Sequence, residues 1–121
     1  PQAKEGASYA TKIDKAEAFI NWHQPATSIH NQIRAFYPWP IARTEYEDEV
    51  IQILASEKLD RQSRYSPGTI ETGNGEGMEV ACFDEAIRIT KVKLAGGRPI
   101  QAAEFFRQRQ PQGKQLGKAN S

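Results

Sequence analysis

The sequence predicts a mainly β fold with flanking helices: a small OB-like Greek-key β-barrel of about five or six strands, one main N-terminal helix and a short C-terminal helix. Three observations predict it. Short apolar or alternating runs follow one another from residue 41 to residue 98, separated by turn residues, which is typical of short strands. A helical apolar stripe precedes them, and a shorter one in 101–108 follows them. At 121 residues the chain is long enough for one domain with its own core.

The composition divides the chain into three parts. Residues 1–8 are polar, with Pro, Gly and small side chains, and are interpreted as the remnant of an interdomain linker. Because they also lack an initiator methionine, we expect the chain to be a fragment. Residues 9–108 are expected to form the domain, and residues 109–121, rich in Gly, Gln, Lys and Asn, predict a flexible tail. Near the start, Asp14 can cap a short helix through Lys15–Phe19 that points Phe19 inward.

The main helix is predicted from an apolar stripe that ends at two prolines. Ile29, Ile33 and Phe36 recur at the spacing of one helix face. Pro25 suits the first helical position, where a missing N–H costs nothing. The two prolines that follow Phe36 force the residues before them into extended conformations, so the helix has to stop near residue 36.

Phe36, Tyr37 and Trp39, which we call the aromatic corner, stand where the helix ends. Large aromatic rings bury about 150–250 Å² each, so the corner is expected to clamp the helix to the sheet. The alternative is a platform on which a ligand stacks, and we favour the structural interpretation. It predicts that Trp39→Ala destabilises the domain by about 3–5 kcal/mol.

Three signals predict local geometry in the strand region. Val50–Leu59 is the strongest strand, and apolar residues on both of its faces predict that it is covered on both sides, with the helix over one of them. Gly73–Gly75 favours positive φ and predicts the tight turn of a hairpin. In Ala86–Ala95 the apolar positions change from odd to even numbers after residue 89. Either a β-bulge at Thr90-Lys91 re-phases this strand, or the strand switches sheets.

No catalytic or metal-binding constellation is visible in the sequence. His23 and His30 have no Cys or carboxylate at ligand spacing, so no metal site is expected. Cys82 lies in an apolar strand pattern, which predicts a buried structural thiol, and a single cysteine suits a reducing cytoplasm. Glu45–Glu49 is interpreted as a solvated turn. Gly73–Gly77 precedes no helix, so it predicts a turn and not a phosphate-binding loop. No apolar run is long enough to span a bilayer.

The charges are unevenly distributed, although the net charge is only +1. Residues 45–85 carry three Lys/Arg against eleven Asp/Glu, and residues 86–121 carry eight against one. The last third is therefore strongly basic. Within it, Arg88, Lys91 and Lys93 alternate with apolar residues, so that all three can point to solvent. From this pattern alone, a solvated strand face and a nucleic-acid-binding face are equally good interpretations.

One segment, I-R-A-F-Y-P-W-P (33–40), resembles the most distinctive motif of the C-terminal domain of methionyl-tRNA formyltransferases. Four further segments resemble that domain in the same order and spacing: E-G-A-S-Y-A-T-K-I-D-K-A-E-A-F-I-N-W (5–22), P-G-T-I (67–70), A-I-R-I-T-K-V-K-L-A-G-G-R (86–98) and A-A-E-F-F (102–106). The resemblance covers about residues 1–108.

The resemblance implies an OB-like barrel that binds initiator tRNA largely through backbone charge. It implies that the catalytic Asn, His and Asp and the site of 10-formyltetrahydrofolate, the formyl donor, lie in an N-terminal Rossmann-type domain. That domain is the expected partner in the full-length chain, so this part should carry no cofactor and no activity alone, as a cytoplasmic monomer without a membrane contact. The residues expected to contact RNA are Lys12, Lys15, Arg34, Arg88, Lys91, Lys93 and Arg98.

Two departures and a second resemblance leave an alternative open. Gln101 stands where the family has a small hydroxyl residue to cap the last helix, and the Glu45–Glu49 turn is unusually acidic and lacks the usual glycine. The domain also resembles the C-terminal part of UDP-sugar formyltransferases and 10-formyltetrahydrofolate dehydrogenases, in which such a barrel need not bind RNA. The alternative is therefore a structural domain packed on a catalytic domain with another substrate. The basic last third favours the RNA-binding hypothesis.

Overall fold

The computed structural model describes residues 18–47, 49–94 and 96–117, and shows six strands and two helices there. In chain order these are α1 (Ala26–Ala35), β1 (Arg43–Tyr46), β2 (Glu49–Gln62), β3 (Ile70–Asn74), β4 (Gly77–Ala81), β5 (Glu85–Leu94), β6 (Pro99–Gln101) and α2 (Ala102–Arg109). The prediction of a mainly β fold with flanking helices is confirmed, and the sheet is consistent with a small β-barrel-like domain. The predicted linker and Asp14-capped turn lie outside the described residues.

The six strands form one antiparallel sheet in the order β1-β2-β5-β4-β3, with β6 also paired to β5. The two longest strands, β2 and β5, lie side by side at its centre, although the β3–β4 hairpin separates them in sequence. Since β2 occupies one edge of β5, β4 and β6 share the other: β4 pairs with residues 86–89, and β6 with residues 91–93. Strand β5 therefore has a neighbouring strand on both of its edges along most of its length.

Of the two alternatives that the sequence left open for β5, the bulge at Thr90-Lys91 is the one present. Ala55 of β2 is paired with Lys91, and the next residue, Ser56, is paired with Ile89, which leaves Thr90 without a partner on β2. The extra residue re-phases the strand, so that Ile89 before it and Val92 after it are both fully buried. As a result the strand keeps one apolar side against the core along its whole length.

Helix α1 lies against β2 and begins one residue later than predicted. Pro25 is its N-cap and not its first helical residue, and it makes no side-chain capping bond. The carboxylate of Asp84, in the β4–β5 turn, accepts a hydrogen bond from the Ala26 N–H at 3.0 Å instead. Along the helix, Ile29 and Ile33 are fully buried, as the apolar stripe predicted.

The expectation that the aromatic corner is part of the core is wrong. Trp39 is 63% exposed, Tyr37 is 55% exposed, and only Phe36 is half-buried. The tryptophan of the core is instead Trp22, which is 4% exposed and donates its Nε1–H to the Thr44 hydroxyl at 2.9 Å. The expectation that Phe19 points inward also fails, since it is 38% exposed.

The turn of the β3–β4 hairpin lies two residues later than predicted. Asn74 is paired with Gly77, so Gly75 and Glu76 form the turn. Gly73 lies inside β3, under α2, and a Cβ at this position would clash with the ring of Phe106. This glycine is therefore required by the close approach of the Phe106 ring and not by a turn.

The prediction of a flexible tail fails for residues 110–117, which follow α2 and run back along β3. The Ile70 N–H donates to the Lys114 carbonyl at 2.8 Å, and the Gly113 N–H donates to the Ile70 carbonyl at 2.8 Å. Leu116 is buried in the core, and the Gly117 N–H donates to the Glu45 carbonyl of β1 at 2.6 Å. Burial of Leu116 and these backbone hydrogen bonds thus hold the segment against the sheet, although its composition is polar. Residues 118–121 lie outside the described residues.

Helix α2 follows β6 and lacks a side-chain cap, as the Gln101 departure predicted. Its Phe105 ring is fully buried and meets the Tyr46 ring edge-on, with 5.5 Å between the ring centroids. In the described parts of the chain, neither helix has the length and apolar character needed to cross a bilayer.

Candidate nucleic-acid interface

A row of paired residues crosses four strands on the outer face of the sheet. Arg43 of β1 is opposite Gln52 of β2, Gln52 is opposite Lys93 of β5, and Lys93 is opposite Pro99 of β6. Residues directly opposite one another project from the same face of a sheet. Because the strand neighbours of Arg43 and Lys93, namely Thr44 and Val92, are buried, this row faces outward. The register therefore places Arg43 and Lys93 on one face, roughly 10 Å apart across one strand.

Two further cations lie beside this row. Lys91 is exposed, two residues before Lys93 on β5, and Arg98 is exposed immediately before β6. We call Arg43, Lys91, Lys93 and Arg98 the cationic face. Among residues 18–47, 49–94 and 96–117, no carboxylate lies within ion-pair distance of any of the four. Their charges are thus available to an anionic partner.

Arg43 connects the cationic face to the aromatic corner. Its Nη2 donates to the Pro40 carbonyl at 2.6 Å, and its Nε donates to the Ile41 carbonyl at 3.2 Å. The guanidinium therefore holds the backbone that follows Trp39, but its positive charge is not neutralised by these carbonyls. Register alone placed Arg43 here, which is why the sequence did not single it out.

A groove of about 440 Å³ lies between the end of α1 and β2. Arg34, at the exposed C-terminal end of α1, and Tyr37 line it on one side. Its remaining lining residues are His30, Ile33, Leu54, Ala55 and Ser56. Since Ala55 is opposite Lys91, the groove borders the cationic face.

Inside the groove, Nδ1 of His30 lies 2.7 Å from the Ser56 hydroxyl. Burial, together with the charges of Arg34 and Lys58, lowers the pKa of His30 below its usual value. The imidazole is therefore neutral at physiological pH. The lining residues carry no negative charge, so the groove combines apolar walls with hydrogen-bonding groups and one guanidinium.

Arg88 lies apart from the cationic face, although it was predicted to project beside Lys91 and Lys93. Its guanidinium is 2.9 Å from Glu57, 3.2 Å from Glu76 and 3.6 Å from Glu79, and the hydrogen bond to Glu57 is the main reason why its pKa is raised. Arg61 binds Glu79 and the buried Glu71 next to it. Two guanidinium groups thus face four carboxylates, and this part of the surface is negative.

The cations of α2 and of the segment after it are also paired. Arg109 binds both oxygens of Glu49, at 2.6 and 3.2 Å, and lies over the Phe105 ring at 5.7 Å. Lys114 binds Glu47 at 2.6 Å. Arg107 pairs with Glu104. Two carboxylates of the acidic turn, Glu47 and Glu49, are therefore paired with residues more than 55 positions away. Of the described basic residues after 85, only Lys91, Lys93 and Arg98 remain unpaired.

The remaining sequence candidates carry less information. Lys12 and Lys15 lie outside the described residues, and Arg34 is in the groove. Cys82 is buried, and burial, followed by the nearby charges of Asp84 and Glu71, raises the pKa of its thiol to about 12. It is therefore a protonated thiol at neutral pH. In the described part of the chain, no three metal-ligating side chains lie close enough to share an ion.

Comparison with known proteins agrees with the resemblance seen in the sequence. The family described as "Formyl transferase, C-terminal domain" matches residues 12–110. A methionyl-tRNA formyltransferase of Geobacillus thermodenitrificans is 41% identical over 124 residues, which is 99% of this chain and 39% of that protein. One of Xanthomonas campestris is 36% identical over 109 residues, which is 90% of this chain and 36% of that protein. The chain thus spans less than two fifths of the length of these relatives.

Among solved structures, HypX from Aquifex aeolicus superposes with a TM-score of 0.70 over 95% of this chain and 20% of that protein. At 15% identity this likeness shows the fold alone. The match over residues 12–110 identifies the sequence family. The chain belongs to the formyl transferase C-terminal domain family.

Proposed function

We propose that this chain is the non-catalytic, tRNA-binding C-terminal domain of a methionyl-tRNA formyltransferase. Such an enzyme transfers a formyl group from 10-formyltetrahydrofolate to initiator methionyl-tRNA in the cytoplasm, at the start of protein synthesis. The names of the relatives support the substrate, and the share of their length that this chain spans leaves room for an N-terminal catalytic domain. That domain is the partner that carries the folate and the chemistry.

The observation that carries the proposal is the cationic face. The bulge at Thr90 keeps Val92 in the core, so Lys91 and Lys93 stand on the outer face beside Arg43, and Arg98 is exposed immediately before β6. Lys and Arg side chains without carboxylate partners bind phosphates and release the counterions of the RNA. Binding of this kind is insensitive to base sequence and sensitive to salt.

The proposal ranks the basic residues. Lys91, Lys93, Arg98 and Arg43 contact the RNA backbone, and Arg34 joins them at the edge of the groove. Arg88 contributes little, because its charge is exceeded by the carboxylates around it. Lys12 and Lys15 stay predictions.

A pair of charge-matched double variants tests the proposal. Lys91→Ala/Lys93→Ala removes two unpaired cations from the cationic face, whereas Arg64→Ala/Arg107→Ala removes two exposed cations away from that face and from the groove. If each lysine neutralises one phosphate, the first double variant weakens tRNA binding roughly 30-fold at 0.15 M salt and flattens the slope of log K against log salt by up to about two. The control variant has the same net charge and is expected to change the affinity only a few-fold.

Measurement by filter binding or fluorescence anisotropy, at four or more salt concentrations, gives both quantities. Equal affinities and slopes for the two double variants would show that the cationic face is merely solvated. The structural hypothesis would then replace the present one: a barrel packed on the catalytic domain of a formyltransferase that acts on another substrate.

A further inference from the structure

We propose that the exposed rings of Tyr37 and Trp39, with the adjoining α1–β2 groove, form a stacking site for an unpaired nucleotide of RNA. This inference rests on the proposed function and adds to it, since phosphate contacts alone need no aromatic side chain. It assigns the class of RNA that the domain prefers: one with unstacked bases, such as a loop or a single-stranded end.

The position of the two rings separates them from the other exposed aromatic residues. Tyr65 is 58% exposed and follows one cation, Arg64, but Ser63 before them donates its hydroxyl to the carboxylate of Glu71, so that negative charge is close in sequence. Phe83 is 65% exposed and precedes Asp84. Tyr37 and Trp39 instead stand between two cations that have no carboxylate partner among the described residues, Arg34 and Arg43. An RNA base that stacks on these rings therefore brings its phosphates toward positive charge and not toward carboxylates.

The backbone that carries the rings is held in place. Pro38 and Pro40 restrict φ on either side of Trp39. The Ile41 N–H donates to the Phe36 carbonyl at 2.8 Å, which closes the loop, and Arg43 holds the Pro40 and Ile41 carbonyls. A preorganised loop loses little conformational entropy when a ligand binds.

Ile41 itself has φ 77°, in the left-handed region that β-branched residues rarely adopt. Conformations of this kind persist where the surrounding structure over-determines them, and they cluster at ligand-binding sites. The loop thus holds two large rings in solvent and, two residues after Trp39, a residue with a strained backbone. Packing of the hydrophobic core explains neither feature.

The groove supplies what recognition of a base edge needs. Ile33 and Leu54 provide apolar surface, and the His30–Ser56 pair provides hydrogen-bonding groups at neutral charge. Its volume of about 440 Å³ is within the range of small-ligand sites. Another groove, of about 400 Å³ beside Phe106, offers no comparable site, because its cation Arg107 is paired with Glu104.

Tryptophan fluorescence tests the proposal directly, because the chain has two tryptophans in contrasting environments. Trp22 is buried and hydrogen-bonded, whereas Trp39 is exposed. We expect single-stranded oligouridine to quench the emission, and we expect Trp39→Phe to abolish the quenching while it keeps binding. A duplex RNA of the same length should produce no quenching.

Affinity measurements on the same two RNAs complete the test. Tyr37→Ala and Trp39→Ala should each weaken binding of the single strand about 10-fold or more and leave duplex binding unchanged, since base–aromatic stacking contributes on this scale. Phe83→Ala, at a ring of similar exposure, is the matched control and should change neither. Because all three rings are exposed, thermal melting should confirm that the variants fold.

The outcomes separate this inference from the proposed function. If Lys91→Ala/Lys93→Ala weakens both RNAs but neither ring variant weakens the single strand, phosphate binding stands and the stacking site is wrong. Quenching by oligouridine that persists in Trp39→Phe would also overturn the stacking site. If single-strand binding depends on the rings but not on the lysines, the stacking site stands and the cationic face is wrong.

Discussion

Asp84 caps helix α1 from a distance of 58 residues in sequence: its Oδ1 accepts the Ala26 N–H at 3.0 Å. The N-cap residue, Pro25, has no side chain that can do so. The same oxygen accepts the Glu85 N–H, so one carboxylate fixes both the start of α1 and the start of β5. Helix and sheet are thereby joined at a point away from the hydrophobic core.

Removal of this cap should cost stability. Asp84→Ala is expected to lower the free energy of unfolding by about 1 kcal/mol, in the range measured for helix N-caps, because the Ala26 N–H loses its acceptor. Chemical denaturation measures the change, with Asp60→Ala, at an exposed carboxylate of β2, as the control. Equal midpoints for the two variants would show that water replaces the carboxylate at no cost.

Asp84 should also make stability pH-dependent. The hydrogen bond from Ala26 is the main cause that lowers the pKa of Asp84 below its usual value. A carboxyl with a lower pKa in the folded chain stabilises the fold above the unfolded value of about 3.9, and this contribution is lost as pH falls toward the folded value. We expect Asp84→Asn, compared with the parent between pH 7 and pH 3, to lose less stability on acidification. Parallel curves would contradict the assignment.

The left-handed conformation of Ile41 predicts that glycine is more stable than alanine at this position, which is the reverse of the usual order. At an ordinary position glycine is less stable than alanine, but at φ 77° alanine keeps the steric strain and glycine does not. Ile41→Gly should therefore be more stable than Ile41→Ala by about 1 kcal/mol, by thermal or chemical unfolding. Ala35→Gly, in α1, is the control: at this helical position glycine should be less stable than alanine. If Ile41→Ala were the more stable variant, the conformation would not be strained.

The two tryptophans should respond oppositely to truncation. Trp22→Ala removes a buried indole and leaves Thr44 without its donor, so we expect a loss of about 3–5 kcal/mol or failure to fold. Trp39→Ala removes an exposed ring and should change the unfolding free energy by less than about 0.5 kcal/mol. Denaturation midpoints of both variants check this contrast, and a large loss in Trp39→Ala would restore the structural interpretation of the aromatic corner.

The purified domain should transfer no formyl group. In the described residues Cys82 is buried and protonated, and the neutral His30 is hydrogen-bonded to Ser56 in an open groove. An assay with initiator methionyl-tRNA and 10-formyltetrahydrofolate should therefore stay at the blank rate. Turnover above the blank that co-purifies with the domain would contradict its proposed role as an auxiliary domain.

The sequence predicted what depends on local pattern. The change of phase between Ile89 and Val92 reduced the possibilities to a bulge at Thr90-Lys91 or a switch of sheets, because alternation in a strand admits few other solutions. The stripe of Ile29 and Ile33 located the helix for the same reason. Both predictions rest on periodicities that hold before any tertiary contact forms.

What the sequence could not predict depends on register and distance. The size of an aromatic ring does not determine whether it is buried or exposed, so Trp39 was assigned to the core, whereas the buried tryptophan is Trp22. The pairing of Arg109 with Glu49 joins residues 60 positions apart, and only the folded sheet shows that these charges cancel. Conversely, Arg43 enters the cationic face because it is opposite Gln52.

The segment after α2, residues 110–117, protects the sheet against pairing with strands of other chains. β1 and β3 are the outermost strands, and strands at a sheet margin expose unpaired N–H and C=O groups to which other chains can add. Residues 113–117 bond to Ile70 of β3 at one end and to Glu45 of β1 at the other. This irregular segment therefore connects the two outermost strands of the sheet by backbone hydrogen bonds. Loss of these few residues would therefore uncover both margins at once, and would also remove Leu116 from the core.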